Sequence, residues 1–246
     1  MSWADLHPGV VEIAVADPRL EGLKILHLSD LHLRTPAQAG DLKRLITRIN
    51  ASGADFIAIT GDLIDAPVRR IRPLLELFSQ LRIPAWFVSG NHDHFYGLDP
   101  LREILERVGV GCLEDSSVAV EFRGISLRLA GVPDRFGRVL KGRRERREWL
   151  RALATQETPL IFLAHQPKDY RLALQAESAL FLCGHTHGGQ IWPFHWLVRL
   201  SQPFLDGAHR RKETAIYVSR GVGTWGIHRR YKAPAELPLL LLSAAV

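Results

Sequence analysis

Apolar residues along the chain fall into short runs bounded by turn residues, and these runs alternate with stretches of helical spacing. Residues 23–29 (LKILHLS) read as a strand, and Leu42, Leu45, Ile46 and Ile49 then recur at helix spacing over 41–49. A strand over 55–60 (DFIAIT), a helix over 68–81 and a strand over 84–89 (PAWFVS) continue the alternation, followed by helical spacing over 99–108. This β-α-β-α-β order predicts parallel strands joined by right-handed crossovers.

The middle of the chain changes character. Residues 118–122 and 125–132 flank Arg123-Gly124, the mark of a tight hairpin. An arginine-rich helical segment follows, and 159–163, 179–183, 215–219 and 237–242 are strand-like. No repeat or low-complexity linker interrupts the pattern, which predicts a single α/β domain over 1–246 built on mixed sheet.

Composition narrows this only slightly. Hydrophobic residues make up 46% and charged residues 24%, enough for a sizeable core. No run approaches the roughly 18 apolar residues of a membrane span. The first residues lack the basic start and apolar stretch of a secretory signal, and Cys112 and Cys183 have neither thiolate-zinc spacing nor the number for a disulfide scaffold. A reducing cytoplasm is the expectation. The net charge of +6 favours anionic partners such as phosphorylated substrates, nucleic acid or acidic lipid headgroups. In the basic run Lys141-Gly142-Arg143-Arg144-Glu145-Arg146-Arg147, the interleaved Glu145 and the following Glu148 favour a solvated helix face.

The chemistry sits at the ends of the strands. Ser29-Asp30-Leu31-His32, Gly61-Asp62, Gly90-Asn91-His92-Asp93, Ala164-His165 and Gly184-His185-Thr186-His187 each follow an apolar run. Loops at one edge of an α/β sheet converge there on a rigid base. On an extended segment, i and i+2 point to one side, so Asp30 with His32 and His185 with His187 form two-ligand clips. Carboxylates, an Asn carbonyl and imidazoles suit Mn, Fe or Zn. The set exceeds what one tetrahedral ion takes, and it suffices for two ions if a carboxylate bridges them. Each piece alone reads equally as a turn or a helix cap; the combination in this order does not.

The pattern SDLH, GDLID, GNHD, AHQP and GHTH, spread over 24–189, resembles the calcineurin-like metallophosphoesterases. The extended GHTHGGQ and the later SRGVGT are similar to a bacterial, often membrane-associated branch that includes UDP-2,3-diacylglucosamine pyrophosphatases of lipid A synthesis. The resemblance implies a four-layer α/β/β/α sandwich with mixed sheets. It also implies two divalent ions, manganese foremost with iron or zinc as alternatives. Asp30, His32 and His187 would hold one ion, Asp62 would bridge, and Asn91, His165 and His185 would hold the second. His92 would serve the scissile phosphate, with Asp65 orienting it, while a hydroxide bridging the ions attacks phosphorus. Relatives that act on phosphoproteins continue with Arg-Gly where this chain has Ala66-Pro67, which counts against a protein phosphatase.

Further expectations concern the substrate side. Gly188 and Gly189 read either as a place where backbone amides approach a ligand closely or as a plain turn. Residues 190–211 join Trp192, Phe194, Trp196, Leu197, Val198 and Leu200 to Arg199, Arg210 and Arg211. They read either as an interfacial element for an anionic membrane, at the inner face of the cell membrane, or as core beneath the site. For Arg220, Arg229 and Arg230, solvated side chains are the plainer reading, with phosphate binding as the alternative. The substrate expected is a phosphorylated small molecule or a lipid-linked one, with no obligatory nucleic acid and no protein partner. A nuclease or cyclic-nucleotide phosphodiesterase is the competing enzyme, and a non-catalytic scaffold the competitor of another class.

Overall fold

The computed structural model describes residues 3–137 and 143–245, so Lys141 and Gly142 of the basic run, and parts of the domain expected over 1–246, lie outside the described residues. In chain order the first half carries β1 (Gly9–Val15), β2 (Lys24–Leu28), α1 (Ala39–Asn50), β3 (Phe56–Thr60), α2 (Val68–Leu75), β4 (Ala85–Val88), α3 (Asn91–Tyr96), α4 (Leu98–Arg107) and β5 (Val110–Cys112). The second half carries β6 (Ser116–Phe122), β7 (Ile125–Gly131), α5 (Arg143–Ala154), β8 (Leu160–Leu163), α6 (Tyr170–Gln175), β9 (Leu180–Cys183), α7 (His195–Ser201), β10 (Gly207–Arg211), β11 (Thr214–Val218) and β12 (Pro238–Ala244).

Two six-stranded mixed sheets result, ordered β1-β12-β2-β3-β4-β5 and β10-β11-β9-β8-β7-β6. In the first, β2 to β5 run parallel, as the β-α-β-α-β pattern predicts, while β12 returns antiparallel to β2. In the second, β7, β8, β9 and β11 run parallel and the β6–β7 hairpin turns at Arg123-Gly124. Three apolar layers show the sandwich. Leu42, Leu45, Ile71 and Leu101 from α1, α2 and α4 cover one face of the first sheet. Phe56, Leu129, Ile161, Leu182 and Leu240 fill the space between the sheets, and Leu150, Phe162 and Phe181 join α5 to the outer face of the second. Each such fully buried large side chain contributes about 1.5–3 kcal/mol relative to an exposed one. The order of layers is therefore α/β/β/α, with strands parallel in the middle of each sheet and their carboxyl ends gathered along one rim.

Some elements differ from the sequence pattern. The helix expected over 68–81 ends at Leu75 and tightens into a 3-10 turn over Glu76–Gln80. Pro73, which has no amide hydrogen and crowds the preceding turn, sits inside that helix. The basic segment forms α5, and Arg146 is not merely solvated: its guanidinium grips Asp115 through bonds of 2.8 and 2.6 Å and is almost fully buried. No helix among the described residues is long and apolar enough to cross a membrane.

Candidate metal centre

The ladders of the two sheets run on past the strands, and this places the polar residues. Asp30 N donates to Gly61 O and His32 N to Asp62 O, both at 3.0 Å, so the loops after β2 and β3 lie side by side. Gly184 N donates to His165 O at 2.9 Å, which does the same for the loops after β8 and β9. Asn91 is the first residue of α3, directly after β4.

The clips at 30/32 and 185/187 form, but not as a pleat. Strands β2 and β9 have already ended, and the backbone turns through the left-handed region at Asp30 (φ 54°), His32 (φ 50°), Asp62 (φ 50°), His185 (φ 72°) and His187 (φ 52°). Non-glycine residues reach that region at a cost, and such strain gathers at sites where the surroundings fix the geometry. Close contact is the reason for two glycines of the pattern. A Cβ on Gly90 would overlap Asp62 Oδ1 and the Asp62 amide, and one on Gly184 would overlap Ser29 Oγ and Asp30 Oδ2.

The expected ligands converge into two groups, and a third triple joins His32 to Asp65 and His92. In one, ligand atoms of Asp30, His32 and His187 lie within 4.8 Å of one another, and in the other those of Asp62, His165 and His185 do so. Asp62 Oδ2 lies between the groups, 3.3 Å from His165 Nε2 and 3.8 Å from His32 Nε2. Asp30 Oδ1 is 3.2 Å from His187 Nε2. His32 Nε2 faces His187 Nε2 at 3.1 Å, and His185 Nδ1 faces His165 Nε2 at 3.1 Å. Pairs of imidazole nitrogens turned toward one another suit shared cations better than hydrogen bonds. Asn91 Oδ1 is buried with no hydrogen-bond partner, an orphan that a cation would satisfy. The donors present thus fit two divalent ions.

Electrostatics points the same way. Burial opposes ionisation of Asp30 and Asp62, yet His187 beside the first and His165 beside the second hold both carboxyls well below the usual range. Burial pushes His32 down to about 3 and His185 down to about 4, leaving them neutral, the state in which imidazole ligates. Burial also disfavours charge on His165, but Asp62 outweighs it and raises its pKa well above the ordinary value. The cluster draws positive charge into a buried place, which is what a metal ion supplies.

A shell behind the ligands orients them. His165 Nδ1 donates to Thr60 O at 2.8 Å, which leaves Nε2 for a metal. Thr60 Oγ1, 2.8 Å from His27 Nε2, donates to Ser29 Oγ at 2.9 Å, and Ser29 Oγ donates to Asp30 Oδ2 at 2.5 Å. His92 N donates to Asp62 Oδ1 at 2.9 Å, and His92 Nδ1 lies 2.8 Å from Asp65 Oδ1. His92 therefore borders both the bridging position and its carboxylate partner.

These motifs match the description of the calcineurin-like phosphoesterases over residues 23–189. The chain belongs to that family. A Helicobacter pylori protein described as an uncharacterized metallophosphoesterase is 34% identical over 224 residues, covering 89% of this chain and 60% of the relative. A Danio rerio protein described as a transmembrane protein with metallophosphoesterase domain is 34% identical, covering 97% of this chain and 58% of that protein. The chain thus spans about three-fifths of the length of these curated relatives. A dimetal phosphatase from Danio rerio shares the fold with a TM-score of 0.54 at 12% identity, covering 84% of this chain and 88% of that one.

Several substrate-side expectations need correction. The Gly188 and Gly189 amides turn inward, to Thr186 Oγ1 at 3.4 Å and Thr186 O at 2.8 Å, closing the turn after His187. Segment 190–211 divides. Trp192 and Phe194 lead into α7, which carries Trp196, and all three are exposed, whereas Phe204 beyond the helix packs in the core. Arg210 and Arg211 lie apart on edge strand β10, where Arg210 donates to Ala14 O and Arg211 stacks over Phe204. Arg230 is not solvated: it donates to the carbonyls of Arg220, Gly221, Gly223 and His187, tying the 220–233 loop to the site. Arg34 was not singled out by its spacing, because a lone arginine two residues past a ligand carries no periodic signal. It lines a cavity of about 830 Å3 together with Asp65, Arg70, His92, Tyr96 and Trp225.

Proposed function

We propose that the chain is a dinuclear metal-dependent phosphohydrolase that cleaves a phosphodiester or pyrophosphate bond in a lipid-linked substrate, such as UDP-2,3-diacylglucosamine. The observation that carries this reading is Asp62 Oδ2 set between His165 and His32, with the His92–Asp65 pair alongside. Asp30, His32 and His187 would hold one ion, Asn91, His165 and His185 the other, and Asp62 both. Manganese is the ion proposed, and iron or zinc suits the same donors. Two such ions would lower the pKa of a bound water and neutralise phosphate oxygens.

The protein's own groups do the rest. Asp65 holds Nδ1 of His92, so Nε2 remains to donate a proton to the leaving oxygen. Burial depresses the His92 pKa, but the hydrogen bond to Asp65 and the charge of Asp62 outweigh it and raise it, favouring the donor form. Arg34, half-buried at the cavity wall beside His92, supplies a fixed cation for the phosphate, replacing the arginine absent after Asp65. The lipid part of the proposal is supported by exposed aromatics next to the site and by relatives described as transmembrane proteins. Free Cys112 and Cys183 fit a cytoplasmic place, peripheral to the inner membrane face.

The test is a turnover screen with manganese on UDP-2,3-diacylglucosamine, cyclic nucleotides, single-stranded DNA and bis(p-nitrophenyl) phosphate. Preference for the lipid-linked pyrophosphate is expected. Preference for DNA or cyclic nucleotides would replace the substrate class, and no turnover of any diester would remove the enzyme reading.

A further inference from the structure

Helix α7 leaves most of its apolar side chains exposed. Seven residues are too few for a helix to be stable alone in water, and this one packs against Gly189 through His195 while fully burying none of its residues. Trp196 is 59% exposed, Leu197 60% and Leu200 86%, and Trp192 and Phe194 just before it are half-exposed. A second apolar loop lies against it. Trp192 N donates to Tyr231 O at 3.1 Å and Tyr231 N to Gln190 O at 2.9 Å. The Gln190 side chain also binds Trp225 N, Trp225 O and Ile227 O, which fixes Trp225, Ile227 and Tyr231 beside the first loop, all exposed.

The two loops carry charge of a single sign, although Asp5 and Asp41 share a cavity with Arg229 and Lys232. Residues 188–205 and 219–235 contain no Asp or Glu. Lys232 Nζ lies 4.9 Å from the Trp192 ring centre, and the Arg199 guanidinium 5.7 Å from that of Trp196. Arg229 is exposed in the second loop. Indole and phenol rings with cations stacked on them match the boundary of a bilayer, where an apolar layer meets anionic headgroups. The surface also adjoins the metal cluster: Gln190 follows His187 by three positions, and the Trp225 ring centre is 6.4 Å from that of His92.

We infer that α7 and the Trp225–Lys232 loop form a docking surface for an anionic phospholipid bilayer, with the metal cluster at its border. The apolar side chains enter the headgroup–acyl boundary, and Arg199, Arg229 and Lys232 meet lipid phosphates. Docking is independent of hydrolysis; only its use, presenting a membrane-embedded phosphate to the cluster, rests on the function proposed above.

Flotation of the full 246-residue chain with lipid vesicles tests this. The chain is expected to float with phosphatidylcholine vesicles containing about one-third phosphatidylglycerol, and on the order of tenfold less with phosphatidylcholine alone. Leu197→Glu combined with Leu200→Glu should abolish flotation, and Arg199→Glu with Lys232→Glu should weaken it. Both doubles should hydrolyse water-soluble bis(p-nitrophenyl) phosphate like the unaltered chain, because none of these residues touches the ligands. The inference is overturned if the unaltered chain stays in solution at low salt, or if the Leu double floats equally well. It is also overturned if light scattering shows a dimer that the Leu double dissociates, since the surface would then belong to a second copy. Flotation without hydrolysis would keep the docking surface and remove the function.

Discussion

His92 Nδ1 lies 2.8 Å from Asp65 Oδ1, and the same histidine's backbone amide holds Asp62 Oδ1 at 2.9 Å. One residue thus fixes its backbone on Asp62 while a second carboxylate, Asp65, sets its ring. A group that protonates the leaving oxygen from this place contributes mainly to kcat. His92→Ala is expected to lower kcat about a hundredfold or more. Asp65→Asn, which keeps a partner for Nδ1 but removes the charge, should cost about tenfold with KM little changed. Metal content measured on both variants should equal that of the unaltered chain. Loss of an ion from either would place the residue among the ligands instead.

The contact between Gly90 and Asp62 leaves no room for a methyl group. Gly90 has φ −100°, so its replacement carries no left-handed strain and the effect is purely steric. Gly90→Ala should displace Asp62, lower thermal stability by about 1–3 kcal/mol and weaken metal binding. Gly40→Ala in α1, where a Cβ would meet nothing closer than 3.9 Å, should be neutral or stabilising by up to about 1 kcal/mol. Equal melting temperatures for the two variants would show that the motif glycine is not needed for close approach.

Arg34 donates through Nη2 to Thr224 O at 2.6 Å, so its guanidinium is held at the cavity wall rather than free in solvent. The contact with phosphate proposed for it would act on binding and on charge in the transition state. Arg34→Ala should raise KM for a diester about tenfold, and Arg34→Lys should recover part of the loss, keeping charge without the planar fork. Unchanged kinetics in both would leave the cavity without its phosphate cation.

Glu114 accepts the Ser89 amide at 2.8 Å and faces Ser89 Oγ at 3.1 Å, beneath the loop that carries Asn91. Burial raises its pKa to about 7, more than the bonds from Ser89 lower it. A carboxyl whose folded pKa exceeds its unfolded value stabilises fully below the unfolded pKa, and that stabilisation is lost as pH rises through the folded pKa. In urea unfolding of the metal-free chain Glu114 should therefore contribute a loss on the order of 2 kcal/mol between about pH 5 and pH 8. It is set against the gain from His32 and His185, whose depressed pKa values make stability rise with pH toward the ordinary histidine range. Subtracting the Glu114→Gln profile from that of the unaltered chain should isolate this contribution. A profile identical to that of the unaltered chain would assign the pH dependence elsewhere.

Much of the sandwich could be read from periodicity, because β2, β3, β4, β8 and β9 are buried on both faces and show as apolar runs. β1 pairs with β12 at the far end of the chain, and β10 (GAHRR) is a polar edge held by backbone bonds, so neither leaves a local pattern. α3 hid inside Gly90-Asn91-His92-Asp93, whose residues also suit a turn. The convergence of the candidate ligands was legible because their residue types are costly to bury unless they are paired or ligated. The backbone that aims Asp30, His32, His185 and His187 was not, since side-chain identity does not encode a left-handed φ outside glycine and asparagine. Arg34 and Arg230 reach the site through loops whose placement depends on tertiary contacts alone.

The central claim is a pair of cation positions joined by Asp62, and counting ions tests it most directly. Manganese titration by calorimetry, with elemental analysis of the washed protein, should give two ions per chain for the unaltered sequence. Asp62→Ala should retain at most one, with hydrolysis of bis(p-nitrophenyl) phosphate reduced about a hundredfold or more. A folded Asp62→Ala chain that still binds two ions and turns over near the unaltered rate would contradict the account.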